Sequence, residues 1–188
     1  MSLFDQLYDV AHCAINDVTP EMVADGTAAA VITDPPYPRK CLPLFSSLSR
    51  FAERVLKPGG WCVAMSGNAF LPDVLNRLGE HLKYRWAFAV VCPGGRTNRN
   101  WGLCLFQAYK PVLIYQKPPV ALDHDFTPDV IVSLPREYNK SRHPWQQSES
   151  VFARLVERFT QPGDLVVDPF AGSGTTGRAA TSRRAVAL

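Results

Sequence analysis

Apolar and polar residues follow two different spacings along this chain. The run Ala28-Ala29-Ala30-Val31-Ile32-Thr33 is apolar up to its last residue and predicts a strand buried on both faces. Similar runs predict strands near residues 12–16, 60–66, 86–92, 111–116, 164–168 and 185–188. From Cys41 to Leu56, apolar residues recur at Leu44, Phe45, Leu48, Phe51, Ala52 and Val55, which is helical spacing. Lys57-Pro58-Gly59-Gly60 is expected to end that helix in a turn. Pro72 to Leu82 predicts a second helix with Val74, Leu75 and Leu78 inward, and Glu149 to Phe159 a third with Val151, Phe152, Leu155, Val156 and Phe159 on one stripe. Strands alternating with helices predict an α/β, doubly wound, mainly parallel sheet covered on both faces.

Chemistry enters where two of these strands end. Asp34-Pro35-Pro36-Tyr37 follows the buried run, so a carboxylate, two prolines and an aromatic stand at a strand end, where α/β sheets place ligands. The prolines stiffen the turn and leave carbonyl acceptors without N–H donors. Asp34 and Tyr37 could grip a flat, amino-bearing ring, one by accepting from the amine and the other by stacking. At average composition this tetrapeptide arises by chance in roughly one chain in a thousand of this size. The second site is Asp164-Leu165-Val166-Val167-Asp168, a short strand that runs into Pro169-Phe170-Ala171-Gly172-Ser173-Gly174-Thr175-Thr176. Gly177-Arg178-Ala179-Ala180-Thr181 then reads as a helix start. A strand, glycine loop and helix bring backbone N–H groups close to a ligand. The loop lacks the Gly-Lys-Ser/Thr ending of a phosphate-binding P-loop, which argues against an NTPase, and it is not G-x-G-x-x-G.

Together the two motifs resemble the S-adenosylmethionine-dependent DNA amino-methyltransferases. Catalytic motif first and cofactor loop last is the order of their permuted beta class. Cys13-Ala14-Ile15-Asn16-Asp17 resembles the strand and acid that open such enzymes. Leu56-Lys57-Pro58-Gly59-Gly60 resembles their next turn, and Lys110-Pro111-Val112-Leu113-Ile114-Tyr115 a late strand. Arg142-His143-Pro144-Trp145-Gln146-Gln147-Ser148 resembles the His-Pro segment ahead of the helix that leads to the cofactor loop. The resemblance implies a Rossmann-like sheet with one antiparallel strand, for which the 86–116 region is suited. It implies that Asp34, Pro35, Pro36 and Tyr37 are catalytic. It further implies that S-adenosylmethionine lies against Asp168 to Thr176, with Asp17 toward its adenine and His143 as a further contact. Asp in the first motif position tilts the substrate to adenine N6; cytosine N4 is the alternative. Methylation of another planar amine or amide, in protein or RNA, is a third reading.

Composition narrows the setting. A chain of 188 residues is expected to form a single domain burying about 70% of its unfolded surface. The net charge of +3 gives weak support for a polyanion partner, here DNA. Basic residues cluster at Arg39-Lys40 and at Arg96 and Arg99, the latter beside Trp101, a mixture that suits a phosphate backbone and a base or two. Without a large inserted recognition domain, sequence selection falls to such loops, to a homodimer or to a specificity partner. Five cysteines make no Cys-x-x-Cys pair, so no metal site is expected. The absence of a signal peptide or an 18-residue apolar run fits a cytoplasmic bacterial or phage protein without membrane attachment. In nucleotide-type folds an acid about 20 residues past the glycine loop holds the ribose. Counted from Gly172 it falls near position 192, past Leu188. The expectation is therefore a domain truncated at its carboxyl end that binds the cofactor weakly, the extreme alternative being a nucleic-acid-binding protein without turnover.

Overall fold

The computed structural model describes the backbone of residues 8–10, 13–91, 98–120, 126–133, 149–172, 174–180 and 184–187, with side chains except at 8–10, 98, 178 and 184–187. Ten strands and four α-helices follow one another: β1 (Tyr8–Val10), β2 (Ala28–Thr33), α1 (Pro43–Val55), β3 (Leu56–Met65), α2 (Leu71–Leu78), β4 (Lys83–Val91), β5 (Asn98–Asn100), β6 (Leu105–Gln107), β7 (Tyr109–Gln116), β8 (Val130–Val132), α3 (Glu149–Phe159), β9 (Leu165–Asp168), α4 (Thr175–Ala179) and β10 (Arg184–Ala187). Eight strands form one sheet in the order β1-β10-β9-β2-β3-β7-β4-β8. Only β7 runs antiparallel to its neighbours, β3 and β4. β5 and β6 form a separate two-stranded antiparallel ribbon.

The predicted buried strand is β2, and all six of its side chains are buried. Its two faces explain why it has no polar alternation. Ala28 and Val31 join a cluster with Phe45, Leu48, Ala52 and Val55 of α1 and Val74 and Leu78 of α2. Ala30 and Ile32 join a second cluster with Val151, Phe152, Leu155 and Val156 of α3. The sheet is thus sandwiched between helices, as a parallel sheet requires. The three predicted helices appear at Pro43–Val55, Leu71–Leu78 and Glu149–Phe159, with Pro43 in the first turn of α1, where a missing N–H costs nothing.

Three expectations need correction. No strand forms at 13–16; Ile15–Asp17 is a 3-10 turn, and the first strand lies earlier, at Tyr8–Val10. Burying Ile15 against α1 needs a tight turn rather than an extended run. Lys57-Pro58-Gly59-Gly60 is not a turn after α1, because the chain enters β3 directly at Leu56. Leu56 pairs with Ala28 and Trp61 with Ala30, so residues 57–60 bulge opposite Ala29 alone. The bulge is pinned to the end of β7: the Gly59 N–H donates to the Lys117 carbonyl at 3.0 Å and the Lys117 N–H to the Gly60 carbonyl at 2.9 Å. Finally, the stretch after Gln116, expected to be irregular, contributes the short edge strand β8, parallel to β4.

At Gly60 a Cβ would lie 2.9 Å from the Lys57 carbonyl oxygen and 3.2 Å from that of Ala28, both backbone. Gly60→Ala is therefore expected to lower unfolding free energy by roughly 1–3 kcal/mol in urea titration. A loss below about 0.5 kcal/mol would mean that the bulge relaxes freely.

Candidate functional site

The two motifs sit 134 residues apart in sequence and side by side in space. β2 pairs in parallel with β9 through Ala30↔Val166 and Val31↔Val167, so both strands end at the same edge. The Thr33 hydroxyl donates to Asp168 Oδ1 at 2.5 Å, joining the last residue of one strand to the last of the other. The Thr176 hydroxyl donates to Oδ2 at 2.5 Å, and the Phe170 N–H to Oδ1 at 3.0 Å. Asp168 is buried, and burial pushes its carboxyl up to about 6, against the pull of these three donors and with a further push from the charge of Asp34. A carboxylate so well supplied with donors is held in one orientation.

Beyond Asp168 the chain turns sharply. Pro169 is buried, and Phe170 packs against the cluster under α1 and α2. Gly172 and Gly174 take φ of 51° and 75°, left-handed values open to glycine at little cost. The Gly174 N–H donates to the Ala171 carbonyl at 2.8 Å, and α4 begins at Thr175, which is buried together with Thr176. Ser173 lies outside the described residues.

After β2, Asp34 is half-buried, Pro35 buried, Pro36 exposed and Tyr37 half-buried. The Tyr37 hydroxyl donates to Asp34 Oδ1 in a short contact. Burial first, then the Asp34 charge and this hydrogen bond, raise the phenol well above its usual range, so it remains a donor. Stacking was the expected role of the ring; the hydroxyl bond to Asp34 is an addition that the sequence did not reveal. The ring lies against Gly67, whose Cβ would come within 3.5 Å of it, and the Lys110 ammonium stands 5.7 Å from its centroid. A cavity of about 30 Å³, lined by Tyr37, Phe45, Ser66, Gly67, Phe70 and Val74, opens beside it. Arg39 and Lys40 follow on an exposed 3-10 turn.

Other expected residues are less central. Asp17 is exposed in its turn after β1, whose partner β10 separates it from β9. Arg99 and Trp101 belong to the β5–β6 ribbon. Arg96 and His143 lie outside the described residues. Sequence reasoning missed Thr33 and Lys110. Thr33 had a signal, as the single hydroxyl closing an apolar run. Lys110 had none, because only the antiparallel pairing of β7 brings it to Tyr37. Among the described residues no cluster of His, Cys, Asp or Glu could hold a metal, and no helix is long and apolar enough to cross a membrane.

Known proteins share this arrangement. The DNA methylase family matches residues 131–185, the stretch from β8 through the glycine loop. The DNA adenine methyltransferase YhdJ of Escherichia coli K12 is 37% identical over 78 residues, 38% of this chain and 26% of that protein. The type II methyltransferase M2.MboI of Moraxella bovis is 44% identical over 41 residues, 22% of this chain and 15% of that protein. Similarity to these relatives thus spans a quarter of their length or less. The fold matches more widely. The M1.HpyAVI–SAM complex superposes with a TM-score of 0.75 at 24% identity, over 96% of this chain and 91% of that one. The cytosine-N4-specific PvuII DNA methyltransferase gives 0.75 at 18%, over 97% and 83%. TTHA0409 of Thermus thermophilus, a DNA modification methylase complexed with S-adenosyl-L-methionine, gives 0.71 at 21%, over 96% and 86%.

The Asp168 carboxyl supplies a pH test. Its folded pKa, about 6, lies above the ordinary 3.8, so the fold favours the protonated form. That contribution is full below pH 3.8 and is lost as pH rises through about 6. Asp168→Asn should therefore raise the melting temperature relative to wild type at pH 8 and give little or no gain at pH 4, with a stability difference of roughly 3 kcal/mol between the two. A pH-independent difference would place the ordinary ionisation of Asp168 in the fold. By its matched carboxyl-terminal segment and its Rossmann-like fold, the chain is a relative of the DNA amino-methyltransferases.

Proposed function

We propose that the protein transfers a methyl group from S-adenosylmethionine to the exocyclic N6 of an adenine flipped out of DNA. One observation carries this reading: β2–β9 pairing sets Asp34 and Tyr37 beside Asp168 and its glycine loop on one edge. A base gripped by the first motif and a cofactor lying along the second would then meet. The pairing of a stiff Pro-Pro turn with a left-handed glycine loop fits the two ligands: acceptors and an aromatic face for a base, close backbone approach for the cofactor.

When bound, S-adenosylmethionine supplies a methyl group on a sulfonium, whose C–S bond breaks as the sulfur leaves as a neutral thioether. The remaining work falls to the chain. An adenine amine is a weak nucleophile because its lone pair is delocalised into the ring, and inside a duplex it is out of reach. The Asp34 carboxylate and the Pro35 carbonyl accept its two N–H hydrogens and draw the nitrogen toward tetrahedral geometry. As the N–C bond forms, positive charge grows on the nitrogen, and both acceptors stabilise it. The proton then leaves to water through Asp34. Tyr37 stacks on the ring of the base, worth roughly 1–3 kcal/mol. Pro36 keeps the turn rigid. Asp168, oriented by Thr33 and Thr176, takes the amino-acid end of the cofactor, with Pro169 to Thr176 along it. Asp17 is assigned to its adenine and His143 to a further contact. Arg39, Lys40, Arg96, Arg99 and Trp101 are assigned to DNA, either on one chain or with a second subunit or partner.

Adenine is favoured over cytosine by the Asp in the first motif position and by the likeness to YhdJ, an adenine enzyme by name. Cytosine N4 is the second reading, because the N4-specific PvuII enzyme shares the fold. Incubation with labelled S-adenosylmethionine and unmethylated DNA, followed by digestion to nucleosides, separates the two: N6-methyladenosine is expected, N4-methylcytidine would move the assignment, and no labelled nucleoside would end it.

Asp34→Ala is expected to abolish transfer while leaving cofactor affinity by calorimetry nearly unchanged. More than a tenth of wild-type turnover would remove Asp34 from the chemistry. Tyr37→Phe and Tyr37→Trp should stay active, whereas Tyr37→Ala should lose affinity for DNA carrying a mismatched base. Equal damage from Phe and Ala would assign the hydroxyl, rather than the ring, to the substrate.

A further inference from the structure

Four large apolar side chains on the β5–β6 ribbon stand in water: Trp101 is 76% exposed, Leu103 66%, Leu105 57% and Phe106 55%. An isolated two-stranded ribbon is marginal in water, and contiguous exposed apolar surface marks a binding element. This one is ordered by its own contacts. Arg99 pairs across the ribbon with Phe106, and its guanidinium lies 5.6 Å from that ring and 5.3 Å from the ring of Trp101. At the tip, the Leu103 N–H donates to the Asn100 side chain at 3.2 Å, and Cys104 takes a left-handed φ of 51°. At the root, the Gln107 amide donates to the Tyr109 carbonyl at 2.8 Å.

Topology places the ribbon beside the proposed chemistry. β7 is antiparallel to both β3 and β4, so β4 runs with β2 and β9. β4 therefore ends, and β7 begins, at the edge where Asp34 and Asp168 lie. The ribbon is the described part of the connection between them, and Lys110, three residues past β6, stands over Tyr37. Cations flank the apolar tip at Arg99 and Lys110 and continue at Arg39 and Lys40 next to the motif. Aromatic and aliphatic side chains set among cations match a stacked, polyanionic partner rather than an apolar protein surface.

We propose that the ribbon tip is a wedge: Trp101 and Leu103 enter the duplex and fill the space left by the flipped nucleotide, while Arg99 pairs with a neighbouring phosphate. This deepens the DNA reading above and rests on it. A vacancy in the stack is costly, and a side chain that fills it lowers the cost of flipping.

The test uses the full chain and duplexes identical except for one abasic site, which presents the vacancy without any knowledge of the target sequence. Wild type is expected to bind the abasic duplex about tenfold more tightly than the matched one by fluorescence anisotropy. Trp101→Ala with Leu103→Ala should erase that preference, and Trp101→Phe should keep it. With labelled S-adenosylmethionine, the double variant should lose at least about tenfold in transfer to duplex DNA and keep transfer to the same DNA heat-denatured. A preference surviving in the double variant overturns the wedge, as does equal loss on both forms of DNA. Sedimentation showing that the double variant breaks a dimer, with the abasic preference intact, would make the ribbon a contact between copies and overturn it too. Wild type that methylates neither form ends the methyltransferase reading, whereas methylation of the duplex without any abasic preference ends the wedge alone.

Discussion

The parallel pairing of β2 with β9, closed at its end by the hydroxyl of Thr33 on the carboxylate of Asp168, is the constraint on which the rest depends. Both strands are central, and their side chains are buried except at Leu165, which is partly so. A carboxylate at this depth is tolerated only because donors from three separate segments surround it: the end of β2, the turn after β9 and the start of α4. Those same donors fix the turn into the glycine loop and the start of α4. Sheet pairing, loop shape and charge placement are therefore one arrangement. A change at Thr33 or Thr176 reaches all three.

The parts of the fold set by local periodicity were legible from the residues. The continuous apolar run of β2 announced a strand buried on both faces, and the stripe from Val151 to Phe159 announced α3 to the residue. The resemblance to DNA amino-methyltransferases supplied the single antiparallel strand, which is β7. What periodicity misread was decided by partners distant in sequence. Pro58-Gly59-Gly60 is turn chemistry by composition, yet hydrogen bonds from residue 117 convert it to a bulge inside β3. Ile15 sits in an apolar run, but its burial against α1 curls the chain into a 3-10 turn. β8 is three residues long and exists only because β4 offers it an edge.

The candidate site was legible in its motif residues and illegible in its contacts. Asp34 to Tyr37 and Asp168 to Thr176 stand at strand ends as expected, on one edge. Two contacts could not be read from spacing. Lys110 reaches Tyr37 through the reversal of β7, and the Tyr37 hydroxyl turns back on Asp34 within a single loop. The first is a matter of topology and the second of rotamer choice beneath a rigid Pro-Pro turn. Neither leaves a mark on hydrophobic patterning.

The Asp34–Tyr37 hydrogen bond has a consequence for where binding energy goes in the proposed reaction. Asp34 Oδ1 is already engaged by a phenol before any base arrives. An incoming amine that takes this oxygen exchanges one neutral donor for another, and such exchanges are nearly even in free energy. The carboxylate then adds little to the affinity for the resting base, which comes mainly from stacking. The balance changes only when the nitrogen becomes cationic, because a neutral phenol cannot compete with a charged donor for the same oxygen. Tyr37 thereby works as an internal competitor that cancels ground-state attraction and leaves the transition-state attraction intact, concentrating the contribution of Asp34 on rate rather than on occupancy.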